Sequence, residues 1–237
     1  MLKGLYKVDI YTVDGSRRGV IYCYGEKILG GNSVYGFIGS QRLSDHGEIA
    51  VEISTIRHNF DPSFMPLLKA DEASVTLRGS QHGETGHYRF EGAIAQLPGV
   101  ILNASLAPIS EAAAPPVPAF QRDGIANGLY SIHMWMQDGI DAGNTGTMVL
   151  HDGMMRGGDA YFDYVGSYAS ANGRWRGELI NREHTPSQGE RPVFAGHEVG
   201  IGFSGTYSND GAVVDGVALA GKRSIRLSAV LRKLAQG

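Results

Sequence analysis

The sequence predicts an all-β protein built from two tandem antiparallel barrels, and three observations lead to that fold class. Glycine supplies 34 of the 237 residues, about twice its usual share near 7%. The chain repeats itself once at an offset of about 124 residues. Apolar and polar residues alternate with a period of two through many short runs, which indicates strands that are buried on one face.

The internal repeat sets the domain boundaries. Gly4-Leu5-Tyr6 returns as Gly128-Leu129-Tyr130, and Gly30-Gly31 returns as Gly157-Gly158. Further matches continue to the end of each half, where Leu102, Ala104 and Leu106 correspond to Leu227, Ala229 and Leu231. We therefore expect one barrel in residues 1–106 and a second in residues 128–237. Residues 107–127 between them are rich in alanine and proline, which predicts a semi-rigid extended linker.

The strands of the first repeat can be read in order from their alternation. In the opening run, Tyr6, Val8 and Ile10 share one face while Lys7 and Asp9 share the other. Later runs with the same period are 20–24, 34–41, 49–56, 75–79, 87–95 and 100–106. Residues 64–70 have the composition of a short helical turn, limited by Pro62 and Pro66. The matching stretch of the second repeat, residues 185–192, predicts a loop.

Turn dipeptides connect these runs into a consecutive meander. Asp14-Gly15, Asp138-Gly139, Asp152-Gly153, Asn172-Gly173 and Asp210-Gly211 each lie between two runs and supply the positive φ that tight hairpins need. Seven or eight strands in such a meander lose their open edges by closing into an up-and-down barrel. The prediction for each repeat is thus a lipocalin-like barrel, and we expect the two barrels to dock as a pseudo-dimer.

The first strand of each repeat assigns side chains to the two sides of the barrel wall. The predicted interior residues are Tyr6 and Val8 in the first repeat and Tyr130, Ile132, Met134 and Met136 in the second. On the opposite face, apolar groups recur at equivalent positions: Leu5, Tyr11, Leu129 and Trp135. Scattered apolar residues are normal on a surface, but their recurrence favours an interface between the repeats.

Composition and charge exclude several classes of function. The formal net charge is −3, and no stretch of the chain provides the basic patch that direct binding of nucleic acid requires. Cys23 is the single cysteine, so an intramolecular disulfide or a thiolate zinc site is excluded. The opening residues lack the apolar core of a secretory signal, and no run is long and apolar enough for a membrane helix. We expect a cytoplasmic protein with no cofactor or metal and no direct contact with nucleic acid or membrane.

Two motifs suggest chemistry but favour simpler interpretations. Residues 200–205 satisfy the dinucleotide-binding string G-x-G-x-x-G, yet a hairpin turn follows where that motif requires a helix. His58 and His184 are equivalent residues at predicted strand ends, which favours a shared structural hydrogen bond over catalysis. No segment shows the strand, turn and helix around a nucleophile, so we expect no enzymatic activity.

At the repeat signature, the chain resembles the GrlR-like family of negative regulators of type III secretion gene expression. In the second repeat the similar segments are 128–131, Gly146, 154–159 and 164–168. In the first repeat the same frame occurs as Gly4-Leu5-Tyr6, Gly30-Gly31-Asn32 and Phe37-Ile38-Gly39. The resemblance covers nearly all of each repeat. It implies a lipocalin-like barrel that dimerises and acts by binding, with the fused pair here mimicking that dimer inside one chain.

The same resemblance implies a site for a partner. Members of the family sequester a transcriptional activator, using a run of four acidic residues on a loop before a strand. The matching stretch is Asp45-His46-Gly47-Glu48, which keeps two acids, whereas Ala171-Asn172-Gly173-Arg174 in the second repeat keeps none. Asp45 and Glu48 are therefore the candidate partner-binding residues. The alternative is that both stretches are simple hairpin turns around Gly47 and Gly173.

Two function hypotheses follow. The first is a non-enzymatic bacterial regulatory or adaptor protein that binds another protein, such as a transcriptional regulator, and acts as an intramolecular pseudo-dimer. The second is a carrier of a small apolar ligand, because an eight-stranded barrel lies at the boundary between a filled and a ligand-holding interior. The large residues on the predicted core face favour a filled interior. An enzyme built on this barrel is the least favoured class.

Overall fold

A computed structural model of the chain describes residues 1–64, 67, 70–117, 124–137, 144–186, 194 and 197–237. The described residues contain only strands, turns and loops, arranged as two closed antiparallel barrels of eight strands each. The predicted all-β fold with two tandem barrels is confirmed. Within these residues no helix is long and apolar enough to cross a membrane.

Barrel 1 is a meander in which each strand pairs with the next along the chain, and the last strand pairs with the first. Its strands are β1 (Gly4–Thr12), β2 (Gly15–Tyr24), β3 (Lys27–Gly31), β4 (Tyr35–Leu43), β5 (Ile49–Arg57), β6 (Glu72–Gln81), β7 (Tyr88–Ile94) and β8 (Ile101–Pro108). Val8 lies opposite Gly19 on one side and Leu106 on the other, which closes the wall.

Barrel 2 repeats this topology. Its strands are β9 (Gly128–Met136), β10 (Asn144–His151), β11 (Met154–Gly158), β12 (Phe162–Ala171), β13 (Arg174–Glu183), β14 (Glu198–Tyr207), β15 (Gly211–Ala220) and β16 (Arg223–Gln236). Ile132 lies opposite Gly146 and Leu231, the same closure as in barrel 1. Both barrels have eight strands, the upper end of the predicted range.

Several local predictions can be compared with these bounds. The predicted run 49–56 is β5, and the string at 200–205 lies inside β14, a strand rather than a phosphate-binding turn. In the region predicted as a helical turn, Phe64 is in a bend and Leu67 is buried in a turn, while residues 65, 66, 68 and 69 lie outside the described residues. Asp138-Gly139 and residues 187–192 also lie outside them.

Candidate functional site

The two barrels meet through an apolar cluster on the outside of their walls. Its buried members are Leu5, Val20, Tyr22, Leu29, Leu129, Val149 and Val165. Glycines allow the close approach: a Cβ on Gly31 would lie 2.6 Å from the Thr147 side chain, and one on Gly158 would lie 2.5 Å from the Val20 side chain. These two pairs are equivalent in the repeat, so the interface has pseudo-twofold symmetry, as expected for an isologous contact.

The four predicted interface residues fall into two groups. Leu5 and Leu129 are fully buried members of the interface cluster. Tyr11, by contrast, is 47% exposed, and Trp135 is half-buried beside the ring of His133, so both lie outside the cluster. Their assignment to the interface is corrected. The physical reason is distance along the strand, because six residues of β1 separate Leu5 from Tyr11 by about 20 Å.

The described part of the linker contributes polar contacts to the same interface. The Glu111 carboxylate accepts a hydrogen bond from the Leu5 backbone N–H at 3.1 Å and pairs with the buried guanidinium of Arg156. Arg156 also donates to the Met155 and Gly166 carbonyl oxygens. A buried arginine needs such compensation, so this segment of the linker is part of the packed structure.

A second ion pair, in which the carboxylate of Asp163 is buried, ties the linker to barrel 2. Arg182 donates to both carboxylate oxygens of Asp163, at 3.2 and 3.0 Å, and to the Ser110 carbonyl oxygen at 2.8 Å. Burial raises the pKa of Asp163, while the hydrogen bond and positive charge of Arg182 oppose that rise. In barrel 1 the equivalent of Asp163 is Gly36. A Cβ on Gly36 would point at the side chains of Leu129 and Leu234 of barrel 2.

The predicted interior residues line or fill the barrels. Tyr6 and Val8 belong to the core of barrel 1. Tyr130 is in the main core of barrel 2 with Ile132 and Met134 packed against it, and Met136 is in a second buried cluster near one end of the barrel. The remaining space is small, with cavities of about 90 Å³ in barrel 1 and 70 Å³ in barrel 2. Both are well below the few hundred Å³ of an ordinary ligand pocket.

The cavity of barrel 2 differs from that of barrel 1 in its polar wall. Asn144 and Asn181 both line it, and neither the Asn144 Nδ2 nor the Asn181 Oδ1 has a hydrogen-bond partner. Asn181 is only 6% exposed. Tyr164 also lines the cavity, and its hydroxyl donates to the carboxylate of Asp159. Burial raises the pKa of Asp159 and raises that of Tyr164 well above its usual 10.

The equivalent positions in barrel 1 carry Arg17, Phe37 and Thr55, and all three line its cavity. The Thr55 hydroxyl is satisfied because it accepts a hydrogen bond from the Ala73 backbone N–H at 3.1 Å. Among the described side chains around this cavity, none has an unpaired buried polar atom. An unpaired buried polar group costs free energy. The cavity of barrel 2 carries this cost, and the described side chains around the cavity of barrel 1 do not.

The candidate acidic loop of barrel 1 is larger than its counterpart in barrel 2. Leu43 pairs with Ile49, leaving a connection of residues 44–48 that is exposed throughout. Ser44 organises this loop by accepting hydrogen bonds from the backbone of Gly47 and, through its hydroxyl, of Glu48. In barrel 2, Ala171 pairs with Arg174 around a turn of only two residues, Asn172 and Gly173, both with positive φ.

His58 and His184 have the structural role predicted for them. The backbone N–H of each donates to an equivalent carbonyl oxygen, that of Val34 for His58 and that of Tyr161 for His184, both at 2.9 Å. The rings differ, since the His58 Nε2 lies 3.0 Å from the Asn32 carbonyl oxygen and the His184 Nδ1 lies 3.0 Å from the Thr185 hydroxyl. Burial lowers the pKa of each imidazole from 6.5 to about 4. Both side chains are therefore neutral at pH 7.

Comparisons with known proteins leave the chain without an assigned family. No protein-family model matches it, and a search of curated proteins finds no significant match. Among solved structures, the chain is similar to a "putative outer membrane protein" from Bacteroides fragilis at 10% sequence identity. That similarity covers 98% of this chain and 97% of the other, with a TM-score of 0.25.

Proposed function

We propose that this protein is a non-enzymatic regulatory or adaptor protein that binds another protein through the acidic hairpin of barrel 1. One observation carries the proposal: Leu43, the last residue of β4, is 56% exposed and precedes Asp45 and Glu48 in a loop that barrel 2 reduces to a two-residue turn. The resemblance to the GrlR-like family extends the proposal to a cytoplasmic transcriptional activator as partner, without contact to DNA.

The chemistry of the hairpin defines the partner's surface. An exposed leucine followed closely in the chain by two carboxylates suits an apolar pocket that is bordered by lysine or arginine. Carboxylates at the edge of such a contact mainly accelerate association, and salt weakens their effect within a Debye length of about 10 Å. Binding should therefore weaken as ionic strength rises.

Charge reversal of the hairpin tests the proposal. We expect the variant D45K/E48K to lose a protein that the unmodified chain captures from its native bacterium, with the association rate falling ~10-fold or more. The control is E26K/E84K, which makes the same change in net charge at two other exposed positions of barrel 1. Equal capture by both variants would exclude the hairpin as the site.

A second candidate function is binding of a small molecule inside barrel 2. The unpaired donor of Asn144 and the unpaired acceptor of Asn181 favour it, since both lie on one cavity of about 70 Å³. The ligand class would be a small neutral molecule with a polar head that both donates and accepts, such as a primary amide, and a short apolar tail.

Native mass spectrometry of the gently purified protein tests this second function. We expect a bound small mass that disappears in N181L, because leucine keeps the approximate shape but removes the acceptor. The matched control T55V changes the equivalent residue of barrel 1 and should keep the ligand. If no mass other than water accompanies the unmodified protein, the cavity is not a ligand site.

A further inference from the structure

The outer face of β14 and β15 carries an unusual pattern for a solvent-facing wall. On β15, Val217 is 40% exposed and Leu219 is 62% exposed. Directly across the strand pair, Val217 lies opposite Gly202 and Leu219 lies opposite Gly200. A Cβ added at either glycine would meet no atom within 4 Å. Two exposed apolar side chains therefore lie beside two glycines that leave space above the strand.

The cross-strand pair of Gly202 and Val217 has a charged residue on each side, on the neighbouring strands β13 and β16. Glu178 on β13 lies opposite Gly202, and Arg226 on β16 lies opposite Val217. Both side chains are exposed, and neither has an ion-pair or hydrogen-bond partner among the described residues. Laterally paired residues on the four strands therefore form a row in the order Glu178, Gly202, Val217 and Arg226. Its two charged residues are about 14 Å apart at ordinary strand spacing.

We propose that a second copy of this chain docks on this face, so that two chains pair through the outer walls of their second barrels. The two copies are related by a twofold axis that runs parallel to the strands, midway between β14 and β15. Rotation about this axis places β14 of one copy over β15 of the other, and β15 over β14. Val217 of one copy then faces the open position at Gly202 of the other, and Leu219 faces Gly200. Glu178 faces Arg226 on both flanks.

The curvature of the barrel is compatible with this arrangement. Two convex walls approach most closely along their central strands, where the short glycine positions receive valine and leucine. The walls diverge towards β13 and β16, where the long side chains of Glu178 and Arg226 can span the wider gap. The row is therefore self-complementary in both shape and charge, as an isologous interface requires.

The chain already uses the same packing at the interface between its own barrels. There the open side of Gly158 faces Val20, and the open side of Gly31 faces Thr147, again around a pseudo-twofold axis. In both places a β-branched or apolar side chain from one wall fills the space above a glycine of the other.

Barrel 1 lacks this pattern on the equivalent face. The residues equivalent to Gly200, Gly202, Val217 and Leu219 are Ser74, Thr76, Ala93 and Ala95. Each chain therefore offers one such face, and pairing closes at two chains and four barrels. A closed pair avoids the open-ended assembly that a second, heterologous contact would produce.

The size of the face predicts a weak dimer. Four strands by about eight residues cover ~500 Å² on each copy at ordinary strand spacing. The total of ~1,000 Å² is near the lower limit for a specific interface. We expect association at micromolar or higher concentration rather than a permanent dimer.

Sedimentation velocity of the full chain between about 1 and 500 µM tests the proposal. The unmodified protein should shift from monomer to dimer across this range. E178R and R226E, each of which places like charges opposite one another, should weaken the dimer ~10-fold or more, and the swapped variant E178R/R226E should restore it to within a few-fold of the original.

Two further variants separate the interface from a general effect on folding. V217D should abolish the dimer, while A93D at the equivalent exposed position of barrel 1 should leave it intact. A monomer at every concentration would overturn the proposal. So would a dimer that both single charge reversals leave unchanged, because the contact would then lie on another face.

Discussion

His58 and His184 show how a residue that suggests chemistry can be explained by local structure. Each follows the last residue of a strand, is largely buried, and donates its backbone N–H to an equivalent carbonyl oxygen, that of Val34 or Tyr161. The side chains of the equivalent turn residues Asn32 and Asp159 accept backbone N–H groups in the same turns. The pair of histidines is therefore part of how each repeat closes its strand β4 or β12 onto the next.

The burial of these histidines predicts a loss of stability in acid. Their pKa is about 4 in the folded protein, below the usual 6.5, so the unfolded chain binds more protons between these values. The free energy of unfolding should fall as pH decreases from about 6.5 to 4, by up to about 3 kcal/mol for each histidine. Urea denaturation at a series of pH values measures this change.

Glutamine at both positions tests the cause of that pH dependence. H58Q/H184Q keeps an amide donor but removes the titration, so its stability curve should be flatter between pH 6.5 and 4. The control H46Q/H82Q replaces two exposed histidines and should behave like the unmodified protein. An unchanged slope in H58Q/H184Q would assign the acid sensitivity to other groups.

At the level of elements, the strands were predictable because their period reflects a barrel wall. Each side chain faces either the interior or the outside, so burial alternates along β6 and β15 as it does in the sequence. Asn172-Gly173 was predictable as a hairpin because both residues take the positive φ that a two-residue turn needs. Recurrence in both repeats identified Leu5 and Leu129 correctly, but it also selected Tyr11 and Trp135, which lie outside the interface cluster.

Contacts between distant elements were not predictable from one sequence. The pair of Glu111 with Arg156 joins the linker to β11, and the pair of Asp163 with Arg182 has no counterpart in barrel 1. The unpaired Asn181 and the open face of β14 depend on cross-strand register, which periodicity alone leaves undefined. One available signal was the difference between the repeats, since Phe37 and Thr55 in barrel 1 become Tyr164 and Asn181 in barrel 2.

For the whole molecule, the interface between the barrels determines whether they unfold together. The interface cluster buries seven apolar side chains, and the linker adds the Glu111 contact to Leu5 and Arg156. Leu129 is fully buried there and projects from the outside of barrel 2. A change at this position therefore alters the docking surface and leaves the interior of each barrel intact.

The location of the tryptophans makes this coupling measurable. Both Trp135 and Trp175 lie in the second repeat, so tryptophan fluorescence reports on barrel 2, whereas far-ultraviolet circular dichroism reports on both barrels. We expect coincident urea transitions for the unmodified chain and separate transitions for L129D, because a buried carboxylate disfavours docking. Y11D places the same charge on an exposed residue outside the interface and should keep the transitions coincident. Separate transitions in the unmodified chain would show that the barrels unfold independently in spite of their shared apolar cluster.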